Sequence, residues 1–318
     1  MKRVVAVVLF AAFQACAQSY PSKTVKIVSA FGPGNPADTL LRVVSAKMSD
    51  AMGQPFVVDP NTVASGVGAA QAVMRAAPDG HTLLYVLPSM IMIPPFLLRQ
   101  KPFDPLKDFT PVMGVAESPI VIMAAASFPA RSVKEMVELA RANPGKLSYG
   151  TNGIGGTYHL QMELLKLQFG GIDMVQVPYR TTNEGIQALL AGQIPLVFSP
   201  VAAVAPHVRA GKVRMFALLD YKRLPDLPEV PALGEEVPNY VRIPAGVYLY
   251  GPAGLPLTLA RRIHAEAVKV LHAADVAAKL KELAYLPLGT PPDEMANRQV
   301  AVLEVIARAV KAAGLEPQ

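Results

Sequence analysis

Apolar residues along this chain gather in short runs, at residues 24–30, 55–58, 81–86, 120–124, 147–150, 174–177, 196–199 and 215–219, with stretches of helical period between them. Strand-length runs alternating with helical segments predict an α/β chain with mostly parallel sheets. Residues 247–256 predict one more strand and a stiff turn into the last helices, suited to a return crossing between two lobes. The proline-rich stretches 87–95 and 224–238 read as surface connections.

The first helical segment can be read by angle. Ala37, Leu40, Leu41, Val44, Met48, Ala51 and Met52 fall within about 120° of one another at roughly 100° per residue, while Arg42, Lys47, Ser49 and Asp50 lie elsewhere. Asn35 suits the N-cap and Pro36 the first helical position. Asp38 stands where a capping-box acid belongs, and Gly53 supplies the stop.

Before that helix comes Phe31-Gly-Pro-Gly-Asn-Pro-Ala-Asp38, and the device recurs at Leu147-Ser-Tyr-Gly-Thr-Asn-Gly-Ile-Gly-Gly-Thr157 and at Val177-Pro-Tyr-Arg-Thr-Thr-Asn183. A helix start carries unpaired backbone N–H groups and a partial positive charge, so glycines ahead of it let an anion approach the main chain. Gly32, Gly34, Gly153, Gly155 and Gly156 would open such approaches. Thr151, Asn152, Thr157, Thr181 and Thr182 would add neutral hydrogen bonds. Any one of these residues could simply make a turn or a cap. Three loops at the carboxyl ends of parallel strands, however, gather around one crevice, and a carboxylate fits it. His159, one turn into the second helix, and Asp38 are further candidates for contact or for positioning a loop.

The N-terminus changes the setting. Lys2 and Arg3 precede an apolar run over residues 4–13 and then Ala15-Cys16-Ala17, an export signal with an A-x-A cleavage site after Ala17. Lipidation of Cys16 is the rival reading, but Phe13 and Gln14 fit a lipobox poorly. Cleavage after Ala17 removes the one cysteine and leaves no disulfide, thiolate nucleophile or cysteine metal site, which points to the periplasm. It also takes 30 basic residues to 28 against 24 acidic, a spread-out net charge of +4 that gives no case for nucleic acid. The apolar stretch 87–98 is broken by Ser89, Pro94 and Pro95 and is too short to span a bilayer. The remaining length, about 300 residues, predicts two lobes.

Enzyme signatures are weak. Gly153-x-Gly155-Gly156 and Gly66-x-Gly68 lack the full spacing of a dinucleotide loop, and there is no G-x-S-x-G, S-x-x-K, H-E-x-x-H or Walker sequence. The five histidines are scattered without metal-like pairing. Neither a cofactor nor a metal is expected.

The ordered stretches Tyr20-Pro-Ser-Lys-Thr-Val-Lys-Ile-Val28, Pro33-Gly34 with Asp38, Ala77-Pro-Asp-Gly-His-Thr-Leu-Leu84, Phe103-Asp-Pro-Leu-Lys-Asp-Phe-Thr-Pro-Val112, Asn143-Pro-Gly-Lys-Leu-Ser-Tyr-Gly150, Val177-Pro-Tyr-Arg180 and Gly251-Pro-Ala-Gly254 carry a specific likeness. The chain resembles the solute receptors of tripartite tricarboxylate transporters, the Bug-type periplasmic binding proteins. That resemblance implies an α/β, two-lobed type II periplasmic binding protein fold with a ligand crevice between lobes. The expected division is 1–17 for the signal, 18–120 with 247–318 for the first lobe and 121–246 for the second. The resemblance places Gly32, Pro33, Gly34 and Asn35 on the first-lobe side, and Thr151 to Thr157 with Tyr179 to Thr182 on the second. It implies a monomer that is not an enzyme, binds a small carboxylate and hands it to inner-membrane transporter subunits. A sensor that presents its closed form to a membrane partner is the alternative. Two departures bear on the ligand. Asn35-Pro36 stands where relatives carry further glycines. Ser199 stands where they carry an acid after Phe198, which argues against an amino-acid ligand.

Overall fold

The computed structural model describes residues 20–318, so the export signal, its cleavage site and Cys16 lie outside the described residues. The strands run β1 (Val25–Ser29), β2 (Phe56–Pro60), β3 (Thr82–Val86), β4 (Phe109–Glu117), β5 (Ile120–Ala125), β6 (Ser148–Thr151), β7 (Val175–Pro178), β8 (Leu196–Pro200), β9 (Val213–Leu218), β10 (Gly246–Pro252) and β11 (Leu286–Thr290). They form a six-stranded sheet ordered β11-β4-β10-β3-β1-β2 and a five-stranded sheet ordered β7-β6-β8-β5-β9.

The pairing is mixed where the sequence predicts mostly parallel. Parallel pairs join β1 to β2 and β3, and β6 to β7 and β8. Antiparallel pairs form wherever the chain crosses between sheets. β4 leaves the first sheet, and β5 enters the second antiparallel to β8 and β9. β10 returns and wedges antiparallel between β3 and β4, with Tyr250 opposite both Leu84 and Pro111.

Alternation along the strands sorts the core into faces. Ile27, Leu83, Tyr85 and Leu249 pack with the helices Pro36–Met52 and Leu257–Leu271. Val28, Leu84, Val86 and Tyr250 face the other way, toward the helices Val67–Met74 and Pro292–Ala312. The helix Pro292–Ala312 also reaches the second sheet's layer, where Ile306, Ala309 and Val310 share a core with Leu160 and Leu164 of the helix Thr157–Gln168.

The proline-rich stretches are more than surface connections. Pro88–Met92 and Pro94–Leu97 are short helices, and Ile91 and Met92 are buried because they cover the apolar face of β3. Leu233–Glu236 is likewise helical, with Leu233 buried. Among the described residues, no helix is long and apolar enough to cross a membrane.

Candidate ligand site

The first loop leaves β1 at Ser29, whose hydroxyl oxygen accepts the Phe31 N–H at 3.2 Å and holds that ring in the core. Gly34 sits at φ +87°, a conformation that glycine adopts without penalty. Asn35 caps the helix as predicted, its Oδ1 accepting the Ala37 N–H at 2.8 Å, and its own N–H donates to the Gly32 carbonyl at 3.2 Å. The N–H groups of Gly32 and Gly34 find no acceptor among the described residues.

Asp38 does not act as the capping-box partner. The cap's N–H is already spent on Gly32, so the carboxylate turns to Arg42, with Nε at 2.8 Å and Nη2 at 3.2 Å, and is buried there. Its charge is matched, and it supports the helix start from beneath the loop.

A neighbouring loop was not predicted. After β2, Asn61 donates its N–H to the Ser29 carbonyl at 2.8 Å, and Thr62 comes against Gly32, its Cγ2 3.5 Å from where a Cβ would stand. Ala64 and Ser65 then take φ +48° and +52°, followed by Gly66 at +97°. Left-handed residues other than glycine cost about 1–2 kcal/mol each. At Gly66 itself a Cβ would come within 3.1–3.3 Å of Ala30 and Met90, so glycine is required there on both counts. The ends of β1, β2 and β3 are thus one contiguous surface. The pair Gly66 and Gly68 was its sequence trace.

In the second sheet, Thr151 is buried. Its hydroxyl accepts from Gln176 Nε2 at 2.7 Å, and its carbonyl takes the Tyr179 N–H at 2.9 Å, so β6 and β7 deliver their loops together. Gly153 and Gly155 have φ of +110° and +71°. Asn152 is exposed and folds over Gly156, and Ile154 projects from the tip with two-thirds of its surface in solvent. Thr157 opens the helix and borders a void of ≈ 10 Å³, room for a water at most.

His159 does not offer itself to a ligand. Its Nδ1 accepts the Gly155 N–H at 3.0 Å, and Nε2 lies 3.7 Å from Glu163, which also takes bonds from Tyr149 and Lys166. Burial pushes the imidazole pKa down against the opposing pull of Glu163. The neutral ring is the acceptor that shapes this loop, and one of the loop's donors is spent on it.

In the third loop, Thr181 caps the helix Thr182–Leu190 through the Glu184 N–H at 3.2 Å, and Glu184 in return accepts the Arg180 N–H at 3.1 Å. Thr182 is half-buried and Arg180 is exposed. Tyr179 lies over Gly150 and Gly185, where no Cβ intervenes. Ser199, opposite Val121 in the β5–β8 register, is fully buried and presents no surface.

The structure therefore gathers Gly32 to Asn35 with Thr62 to Gly66 on one side, and Thr151 to Thr157 with Tyr179 to Thr182 on the other. Gly155 packs close beneath Leu97, whose Cδ1 lies 2.6 Å from where a Cβ would stand, with Leu315 at 3.6 Å. Asp38 is the one acid among the predicted residues, and Arg42 matches it, so an anion here meets no bare carboxylate from that set. Helix starts and free glycine N–H groups can bind a carboxylate and can do little covalent chemistry. No cluster of metal-binding side chains occurs among the described residues.

The model of the family described as "Tripartite tricarboxylate transporter family receptor" matches residues 40–303. Protein BugT of Bordetella pertussis is 30% identical over 231 residues, 72% of this chain and 70% of that protein. The structure of R. palustris Rpa4515 with adipate has a TM-score of 0.75 at 30% identity, covering 94% of this chain and 100% of that one. MatC from Rhodopseudomonas palustris with bound malate has a TM-score of 0.69 at 29% identity, covering 92% and 100%. The shared fold is the two-lobed type II periplasmic binding fold, and its carriers in this family are periplasmic solute-binding receptors, not enzymes. This chain belongs to the tripartite tricarboxylate transporter receptor family.

Proposed function

We propose that the protein captures a small carboxylate between its lobes and delivers it to the inner-membrane subunits of a tripartite tricarboxylate-type transporter. The observation that carries this reading is the pair of unspent N–H groups at Gly32 and Gly34, ahead of a helix start whose one acid is already matched by Arg42. Adipate in one relative and malate in another support a carboxylate as the ligand class.

In this reading the lobes are residues 18–120 with 247–318, and 121–246, following the membership of the two sheets. The ligand touches Gly32 to Asn35 and Thr62 to Gly66 from the first lobe, and Asn152 to Thr157 and Tyr179 to Thr182 from the second. Asp38, Thr151 and Ser199 support these loops from the interior. Lobe closure is driven by the ligand's greater affinity for the closed form. The protein acts as a monomer, exported with cleavage after Ala17.

Calorimetric titration of the mature protein with adipate, malate, citrate and benzoate tests the proposal. Saturable binding of one class, weakened by Asn35→Asp, is the expected result. Binding that ignores substitutions in every loop would remove the site, and no heat with any carboxylate would remove the ligand class.

A further inference from the structure

Among the described residues, the two most exposed large apolar side chains are Val63 and Ile154, each at 66%, ahead of Leu167 at 53%. Both stand on the candidate loops, one on each side. Val63 follows Thr62, the residue that comes against Gly32, and Ile154 sits between Gly153 and Gly155 at the tip of the loop after β6. Left-handed backbone follows Val63 at Ala64 and Ser65 and brackets Ile154 at Gly153 and Gly155. A lone exposed aliphatic on a surface needs no explanation. Two of them, one on each set of loops and beside backbone of the kind that clusters at ligand clamps, point to an apolar partner at that place.

The polar side chains around them are largely spent. Asn35 accepts from the Ala37 N–H, Thr151 from Gln176, Thr181 from the Glu184 N–H and His159 from the Gly155 N–H. Residues 32–35, 62–66 and 152–157 include no acid and no base. A ligand rich in hydroxyl groups would give up its hydrogen bonds to water here and find few in return, which disfavours it. The free Gly32 and Gly34 N–H groups suit one carboxylate, and the exposed Arg180 on the third loop can take a second.

We infer that the ligand is a carboxylate on a hydrocarbon body, an alkanoate or an aliphatic dicarboxylate rather than a hydroxy acid. Its carboxylate lies at Gly32 and Gly34, and its chain is held between Val63 and Ile154 when the lobes close. This rests on the carboxylate reading of the crevice and adds to it the body of the molecule.

Calorimetric titration of the full mature protein with hexanoate against gluconate, and with adipate against glucarate, compares acids of equal length and charge that differ in their hydroxyl groups. In at least one pair the hydrocarbon acid should bind about tenfold more tightly. Val63→Ser and Ile154→Ser should each weaken that acid by about five- to tenfold, without lowering the thermal midpoint, since both side chains are exposed. Val300→Ser, at a half-exposed valine of the C-terminal helix outside the loops, should change neither. Preference for gluconate or glucarate, or binding of malate or citrate alone, would overturn the inference and leave the carboxylate reading standing. Hydrocarbon-acid affinity unmoved by both serine variants would overturn it as well, making the two aliphatics contacts for another protein. No heat with any of these acids would remove the carboxylate reading and this inference together.

Discussion

The Gly155 N–H donates to Nδ1 of His159 across 3.0 Å, so a buried imidazole, and no ligand, is the partner of one donor in the most glycine-rich loop of the chain. The bond requires the ring to be unprotonated at Nδ1. Burial enforces this by holding the histidine pKa below its usual 6.5. A group with a depressed folded pKa that is bound as the neutral base contributes its full stability above the unfolded value. That stability is lost as the pH falls below about 6.5, where the unfolded chain takes up the proton first. Thermal midpoints should therefore fall more steeply between about pH 7 and about pH 5.5 in the native protein than in His159→Gln, whose amide does not titrate. Parallel curves would show that His159 is not the titrating group.

Gly155→Ala should destabilise the protein by about 2–3 kcal/mol. Its left-handed φ costs about 1–2 kcal/mol for alanine, and the new methyl would stand 2.6 Å from Cδ1 of Leu97. Urea unfolding of Gly155→Ala with and without Leu97→Ala separates the two terms. Coupling between the sites is expected, and strict additivity would place the cost in the backbone alone.

Asn35→Asp should part stability from affinity. Aspartate caps as well as asparagine, and its charge suits a helix start, so the midpoint should hold or rise. The same charge repels a carboxylate at Gly32 and Gly34, weakening binding by a few fold, the equivalent of about 0.5–1 kcal/mol. Asn35→Ala, by contrast, should lose about 1 kcal/mol of stability with the cap. An affinity unchanged by the aspartate would move the anion away from the first loop.

Glu117 at the end of β4 and Arg242 just before β10 form a buried pair linking the two chain crossings, with Nη2 to Oε2 at 3.0 Å and Asp220 at 3.7 Å from the same nitrogen. Burial raises the Asp220 pKa while Arg242 opposes the rise. Arg242→Met leaves Glu117 buried and unmatched and should cost about 3–5 kcal/mol. Adding Glu117→Leu should recover most of it. A double variant no more stable than the single one would mean that Arg242 acts through its packing over the Tyr221 ring, 5.4 Å away.

The features that proved readable in the sequence are those that depend on neighbours along the chain. The Asn35 cap, Pro36, the apolar stripe of the first helix from Ala37 to Met48 and the Gly53 stop follow from local preference and appear in place, while Ala51 at the end of the predicted stripe is exposed. β4 escaped because its continuous buried run, Val112 to Glu117, has no alternation to detect. β11 escaped because Pro287 suppresses the strand signal at a sheet edge. Asp38 looked like a capping acid because its spacing fits, yet the cap's N–H was taken by a carbonyl in a turn whose shape spacing does not reveal. The loop at Thr62 to Gly66 was hidden for the same reason. Its left-handed residues are alanine and serine, types that give no signal for that conformation in a sequence.

The C-terminal helix completes the architecture. Ile306, Ala309 and Val310 leave the first sheet's side of the molecule to share a core with Leu160 and Leu164. Pulling that seam apart would expose several aliphatic side chains, each worth roughly 1.5–3 kcal/mol when buried. Glu117 and Arg242 tie the crossing strands between the same two layers. The helix is therefore a clasp between the two layers, because separating them along this seam would uncover its apolar side chains.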